Sequence, residues 1–302
     1  MTGRRAFLRG LASAAALVPL GCGRRSAHRE GQEGEAMSET REERMPVVFV
    51  GHGSPMNAIE DNRWSRGFTA LGQALPRPRA ILAVSAHWFV GGTYLTAQPR
   101  PETLHDFGGF PPALHEVQYP APGQPELARR VRALLAAHDA DARSEWGLDH
   151  GTWSVLRWMV PEADVPVIQL SLDRHLDARR HMEIGRALAP LRDEGVLILG
   201  SGNIVHNLRD AFGRMRSASP SVTPDWARRF DADTAEALRQ RDGDALLTRW
   251  QQSDDGRRAH PTPEHWLPLL YAYAASADSE PARFAVEGFD AGSISMRSVV
   301  WG

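Results

Sequence analysis

Twelve histidines stand against one cysteine in this chain of 302 residues, and the placing of the histidines is where chemistry is to be sought. His52 follows the apolar run Val47-Val48-Phe49-Val50, inside Gly51-His52-Gly53-Ser54-Pro55-Met56-Asn57. His87 closes a second run, Ala80-Ile81-Leu82-Ala83-Val84-Ser85-Ala86-His87-Trp88. His206 follows a third, after the small-residue turn Gly200-Ser201-Gly202. His150 lies in Trp146-Gly147-Leu148-Asp149-His150-Gly151-Thr152-Trp153, and His265 in Pro261-Thr262-Pro263-Glu264-His265-Trp266. Imidazole titrates near neutral pH and is the commonest protein metal ligand. One such histidine reads most simply as a satisfied core residue; several at equivalent element ends point to a shared centre. Cys22 is the lone cysteine, so neither an intramolecular disulfide nor a Cys-based zinc site is available. A metal site must use histidine and carboxylate, a donor set that suits non-haem Fe(II) or Zn(II).

Other chemistries lack their signatures. There is no HExxH, and no phosphate loop or dinucleotide fingerprint in the required context. Gly51-His52-Gly53-Ser54 is not the Gly-x-Ser-x-Gly of a nucleophile elbow. A formal charge of -2 offers no basic field for nucleic acid or a membrane surface.

The elements that must position these side chains follow from periodicity. Short β-branched and aromatic runs bounded by Gly and Pro read as buried strands at 47–50, 80–88, 93–96, 165–172 and 195–199. Two later strands fall at 284–288 and 294–300. Helical spacing is clear over 61–75, with Asp61 or Asn62 as cap, over 125–138 and over 177–193. A further helix follows His150, and the charged stretch 223–252 reads as a solvated helical pair. Thr262 is placed to cap a helix with Pro263 at its first position, putting His265 in the first turn. Strands alternating with helices predict an α/β fold: a single domain with a central, largely parallel or mixed sheet flanked by helices. In such sheets ligands bind outside the strand C-termini, where His52, His87 and His206 are expected. Residues 99–123 form a long Pro- and Gly-rich loop containing aromatics, read as the wall of a site. His105 and His115 within it are open to either a site role or a structural one.

The amino terminus reads separately. Residues 1–22 carry Arg4-Arg5-Ala6-Phe7-Leu8-Arg9, similar to a twin-arginine export motif, then an apolar segment too short to span a bilayer. Leu20-Gly21-Cys22 resembles the end of a lipobox, which makes Cys22 a candidate lipid anchor. Residues 23–44 are poor in apolar side chains and read as a disordered tether. Export to the periplasm is the expectation; a start at Met37 or Met45 would leave a cytoplasmic protein.

Seven motifs in order, GHGSPMN, SAHW, HDFGGFP, YPAPG, DHGTW, SGNIVHNL and PTPEHWLPLLY, closely resemble the 4,5-DOPA extradiol dioxygenase family of class III ring-cleaving enzymes. The resemblance runs over residues 45–302. It implies one mononuclear divalent metal, Fe(II) for catalysis or Zn(II), and a small aromatic diol and O2 as reactants, with a semialdehyde as product. It also implies His52, His87 and His265 as ligands. His206 would be a fourth ligand or an acid/base, and His150 would face the substrate as the second acid/base candidate. His105, Phe107 and Trp88 would line the aromatic pocket. Two other readings use the same histidines: a zinc-dependent hydrolase, and an exported zinc-binding protein without turnover.

Overall fold

The computed structural model describes residues 44–216 and 222–302, so the export-like segment, the tether up to residue 43, Met37 and Cys22 lie outside the described residues. Ten strands are formed there: β1 (Val47–Gly51), β2 (Ala80–Val90), β3 (Tyr94–Thr96), β4 (Asp141–Arg143), β5 (Val167–Asp173), β6 (Val196–Gly202), β7 (Arg283–Val286), β8 (Phe289–Asp290), β9 (Ile294–Ser295) and β10 (Ser298–Trp301). Eight of them make one sheet in the order β4-β3-β5-β2-β6-β1-β10-β7, and β8 pairs with β9 apart from it. The four apolar runs β5, β2, β6 and β1 lie parallel at its centre. β3 and β10 attach antiparallel, so the sheet is mixed, as alternation of strands and helices led one to expect. The strand β6 lies between β1 and β2, although both precede it by more than a hundred residues. The three-residue β4 was not legible: Asp141–Arg143 is exposed throughout and has no apolar pattern.

Alternation along the central strands sends side chains to two faces. Val47 and Phe49, Leu82 and Val84, and Ile198 join one core cluster; Val48 and Val50, Ile81 and Ala83, and Leu197 and Leu199 join the other. The second face is covered by α1 (Arg63–Ala74) and, beyond the short α2 (Pro112–His115) and α3 (Pro125–Leu134), by α4 (His150–Met159). Asn62 caps α1 through a reciprocal capping box with Ser65. The first face carries α5 (Ala178–Leu188) and, after α6 (Leu208–Met215), α7 (Asp225–Arg239), α8 (Gly243–Gln252) and α9 (Asp254–Ala259), the helix α10 (Leu267–Ala275). Every residue of α10 is buried, because it is packed between the sheet with α5 on one side and the cluster of α7 and α8 side chains on the other. The charged stretch 223–252 is therefore not a solvated pair. Trp226, Phe230, Leu238, Leu246 and Trp250 are buried in the core, each the kind of side chain whose burial contributes about 1.5–3 kcal/mol.

Two boundaries differ from expectation in ways that matter for the site. Helix α10 begins at Leu267, not at Pro263; residues 261–266 form turns in which the Trp266 and Leu267 N–H groups donate to Pro263 O. The segment 294–300 is two strands, broken at Met296-Arg297. At that break Arg297 forms a buried ion pair with Asp231 of α7, Nη2 to Oδ2 at 2.6 Å, while the Ser295 hydroxyl donates to Asp231 Oδ1 at 2.6 Å. Glu287 holds the other guanidinium nitrogen. Removing Asp231 leaves the buried guanidinium with only the largely exposed Glu287 as partner. Asp231→Ala should thus lower unfolding free energy by about 3–5 kcal/mol in denaturant titration, with the paired change Asp231→Leu/Arg297→Met recovering most of it.

Two core histidines set a second expectation. Burial lowers His181, whose Nδ1 meets the Tyr271 hydroxyl at 2.9 Å, to about 4, and lowers His260 to about 4 as well. Both rings stay neutral in the fold where the unfolded chain would protonate them. Between about pH 6.5 and pH 4 the unfolded state therefore binds more protons, and stability falls on acidification by on the order of 1.4 kcal/mol per pH unit for each ring. Urea midpoints of the metal-free protein should drop steadily across that window.

Candidate metal centre and active site

At the carboxyl end of the central strands five imidazoles meet. β1 delivers His52, whose N–H donates to Gly202 O at 3.1 Å and so ties it to the end of β6. His87 lies within β2, not after it, where the pairing with β5 takes five steps along β2 (Val84 to Phe89) against two along β5 (Leu170 to Leu172). A bulge of this kind turns a side chain away from its regular direction and toward a site. His150 opens α4, whose cap is Asp149. Gly151 beside it is required by space: a Cβ there would meet Ser85 Oγ at 2.5 Å and His87 Cδ2 at 2.8 Å. His206 follows β6, and His265 sits in the turn before α10. The His265 carbonyl approaches Gly202 so closely that a Cβ would lie 2.3 Å from it, which explains the small-residue turn there.

Three of these rings converge. Ligand atoms of His52, His87 and His265 all lie within 4.8 Å of one another. The outward nitrogen of each is committed. His52 Nδ1 lies 3.0 Å from Ser201 Oγ, and Ser201 gives its own proton to Gly151 O at 2.5 Å, so the imidazole must donate to the hydroxyl. His87 Nδ1 faces the Asp106 carboxylate, 3.3 Å from Oδ2, and His265 Nδ1 donates to Glu264 Oε1 at 3.4 Å. Burial, with the charges of neighbouring histidines, holds the pKa of all three rings well below the usual histidine range. Neutral rings with Nδ1 protonated leave three bare Nε2 lone pairs. Those of His52 and His87 face each other at 3.2 Å, and that of His265 is buried with no hydrogen-bond partner. Lone pairs in this array repel unless a cation lies among them, so the donor set fits a divalent metal, with Ser201, Asp106 and Glu264 orienting the rings from behind.

Two other groupings near the site, His87-Asp106-His150 and His206-Glu264-His265, are less suited to a metal. Asp106 already accepts from His150 Nδ1 at 3.0 Å and from the His150 backbone N–H at 2.8 Å, with His87 Nδ1 beside it at 3.3 Å. Burial opposes ionisation of Asp106, but the His150 hydrogen bond and the nearby imidazoles outweigh it and hold the carboxyl below its usual range. Glu264 accepts from the Thr262 hydroxyl at 2.8 Å, so Thr262 serves the glutamate and not a helix end.

The two acid/base candidates stand differently. His206 stacks on His265 with ring centroids 3.4 Å apart and planes 7° from parallel, outside the converging trio. Neither of its ring nitrogens has a hydrogen-bond partner among the described residues. Burial, with the charges of His260 and His150, lowers its pKa to about 3. His150 packs 3.8 Å from His87 between ring centroids, its Nδ1 held by Asp106. Asp149, its neighbour in sequence, does not touch the ring: it accepts from Ser85 Oγ at 2.7 Å and Gln169 Nε2 at 2.5 Å. Burial and the charge of Asp106 push Asp149 up to about 6 against those hydrogen bonds.

All five histidines and Asp106 line a cleft of about 610 Å³. The loop 99–123 does form one wall, through Phe107 and Phe110, whose rings meet edge to face at 5.4 Å, with Phe107 also 5.4 Å from His150. His105 and Trp88 are not among the lining residues. His105 donates through Nε2 to Val117 O at 2.9 Å and packs against Phe107, His115 and Trp153, holding the loop. Trp88 is buried and stacked on Trp146 at 5.4 Å, because the bulge that directs His87 into the cleft sends its neighbour the other way. The opposite wall, Leu208, Phe212 and Met215 of α6, was not foreseen. Nor were the roles of Asp106 and Ser201; both act over long sequence separations, and nothing local marks them.

A parallel-centred α/β sheet carries a histidine centre beyond its strand ends, and that centre opens into an aromatic-walled cleft. Residues 46–295 match the family model described as the catalytic LigB subunit of aromatic ring-opening dioxygenase, and the chain belongs to that family as an extradiol ring-opening dioxygenase. The 4,5-DOPA dioxygenase extradiol of Escherichia coli K12 is 47% identical over 266 residues, covering 87% of this chain and 96% of that protein. The Beta vulgaris enzyme of the same name is 38% identical, covering 83% and 94%. The crystal structure of an uncharacterized Escherichia coli K12 protein superposes with a TM-score of 0.74 at 43% identity, covering 86% of this chain and all of the other. Family membership sets aside the hydrolase and the non-catalytic binding protein.

Ser201→Ala removes the acceptor that fixes His52 with Nε2 bare. Metal affinity measured by competition with a chromophoric chelator should fall about 10–100-fold, with the fold retained by circular dichroism.

Proposed function

We propose that this chain cleaves the ring of a DOPA-like catechol beside its diol, using O2 and one divalent metal held by His52, His87 and His265, with Fe(II) as the catalytic ion. The observation that carries the reading is the set of three bare Nε2 lone pairs at the floor of an aromatic-walled cleft. The DOPA-specific names of relatives at 47% and 38% identity support the choice of catechol. When bound, iron would supply the redox chemistry that a closed-shell catechol and O2 need in order to react.

The residues of the chain then have separable tasks. Phe107 and Phe110 orient the ring edge-on, and the apolar wall of α6 keeps bulk water from it. His206, with both nitrogens unpartnered, takes a phenolic proton and returns one later; a positioned imidazole contributes about 10²–10⁴-fold in such steps. His150 presents its second nitrogen while Asp106 holds Nδ1, which fixes the tautomer. Export by the amino-terminal segment, with Cys22 as an anchor, belongs to the same proposal and rests on the Arg4-Arg5 and Leu20-Gly21-Cys22 motifs.

The test is anaerobic reconstitution of the protein with Fe(II) or Zn(II), followed by oxygen-electrode and absorbance assays on DOPA, caffeate and protocatechuate. Oxygen uptake with a new yellow band, in the iron form alone, is expected. His206→Ala should lose turnover by about 10²-fold or more and keep stoichiometric metal; loss of metal would make His206 a ligand instead. Stoichiometric iron with no oxygen uptake on any catechol would sink the reading.

A further inference from the structure

The cleft is electrostatically one-sided beyond what ring cleavage needs. Besides Asp106, which is spent on His150 beside His87, its lining includes two carboxylates, Glu60 and Asp290, and no arginine or lysine among the described residues, in a chain with 35 basic residues. Asp290 ends β8 and uses Oδ1 to accept the Ala291 N–H at 2.9 Å, leaving Oδ2 without a partner among the described residues. Glu60 accepts only from Asn62 Nδ2, at 3.2 Å. Neither makes an ion pair within the described chain. Both carboxylates line the one cleft, and burial raises the Asp290 pKa against the Ala291 hydrogen bond, with the Glu60 charge raising it further.

The nearby guanidinia do not answer them. Arg63 donates to Glu287 O at 2.9 Å, and Arg214 pairs with Asp210 at 2.5 Å. Arg209 and Arg216 are exposed and do not line the cleft. The rest of the cleft describes its ligand independently. His265 Nε2, on a side chain 7% exposed, is unpartnered at the floor. Leu208, Phe212 and Met215, about half exposed, offer apolar surface along one wall. A ring with donor atoms at one end fits between floor and walls, and two unmatched carboxylates remain for whatever the ring carries.

We infer that Glu60 and Asp290 select substrate by side-chain charge, so that the preferred class is a catechol bearing a protonated amine, and a catechol bearing only a carboxylate is rejected. An ammonium would supply the missing counter-charge and hydrogen-bond donors for the half-buried Asp290 and the exposed Glu60 at the rim; a carboxylate would add repulsion where no cationic side chain lines the wall. This rests on the ring-cleavage reading and adds to it the group that fixes the substrate's far end.

The experiment is a charge series on the iron-loaded full chain: dopamine, 4-ethylcatechol and 3,4-dihydroxyphenylacetate, which share the ring and a two-carbon side chain. The ratio of kcat/KM for dopamine over ethylcatechol should be about tenfold, and that for dihydroxyphenylacetate below ethylcatechol by a similar factor. Anaerobic titration calorimetry should give the same order of affinity without turnover. In Glu60→Gln/Asp290→Asn both ratios should move toward one. Should that variant fail to fold, compression of both ratios in the wild type at high salt replaces it, since screening weakens charge selection and spares the apolar contacts. Cleavage of ethylcatechol with no preference for dopamine, or ratios that survive both neutralisation and salt, would overturn the inference and leave ring cleavage standing. Cleavage of DOPA with none of the three cleaved would overturn the inference alone; no cleavage of DOPA either would overturn the proposed function with it.

Discussion

Three imidazoles can be packed with their lone pairs facing one another only if something outside the cluster holds every proton on the far side. Ser201 and Glu264 do this for His52 and His265 by hydrogen bonds, and the negative charge of Asp106 draws the His87 proton to Nδ1. Each acceptor is itself constrained: Ser201 by the carbonyl of Gly151, Asp106 by the start of α4, Glu264 by Thr262. Burial then keeps the rings neutral, since charging any of them in this setting costs desolvation and repulsion from its neighbours. The fold supplies these constraints from five separate segments, and the sheet is the frame that brings them within reach.

Much of that frame was legible in the sequence. The four apolar runs are strands because their length and β-branched content allow little else, and their parallel arrangement follows from the helices between them. The histidines at strand ends were legible for the same reason. What could not be read was where a chain departs from regular geometry. His87 and Trp88 are consecutive, and only the mismatched pairing of β2 with β5 decides that one enters the cleft and the other stacks on Trp146. Asp149 beside His150 invited pairing by adjacency, yet it is Asp106 that holds the ring, from the far side of the loop.

The helical stretch after residue 223 shows a different failure. Its high charge suggested solvent on every side, while Trp226, Phe230, Leu238 and Trp250 form a stripe that seals α10 beneath them. The charge sits on one face and the apolar residues on the other, a distinction that composition alone averages away. That covering layer also bears on the site. Asp231 on its buried face pairs with Arg297, which fixes the break between β9 and β10, and Ile294 of β9 lines the cleft.

The position of β6 has a consequence for how the molecule is made. Until residues 196–202 emerge, β1 and β2 have no partner between them, and each presents an open edge to solvent. A ribosome-bound chain at that stage holds two of the three converging imidazoles but cannot bring them together, and the third arrives some sixty residues later still, at His265. Ion capture is thus a property of the finished polypeptide only. Any prematurely terminated product would expose sticky strand edges without the complete imidazole trio, and would be a substrate for quality control and not a partly active enzyme.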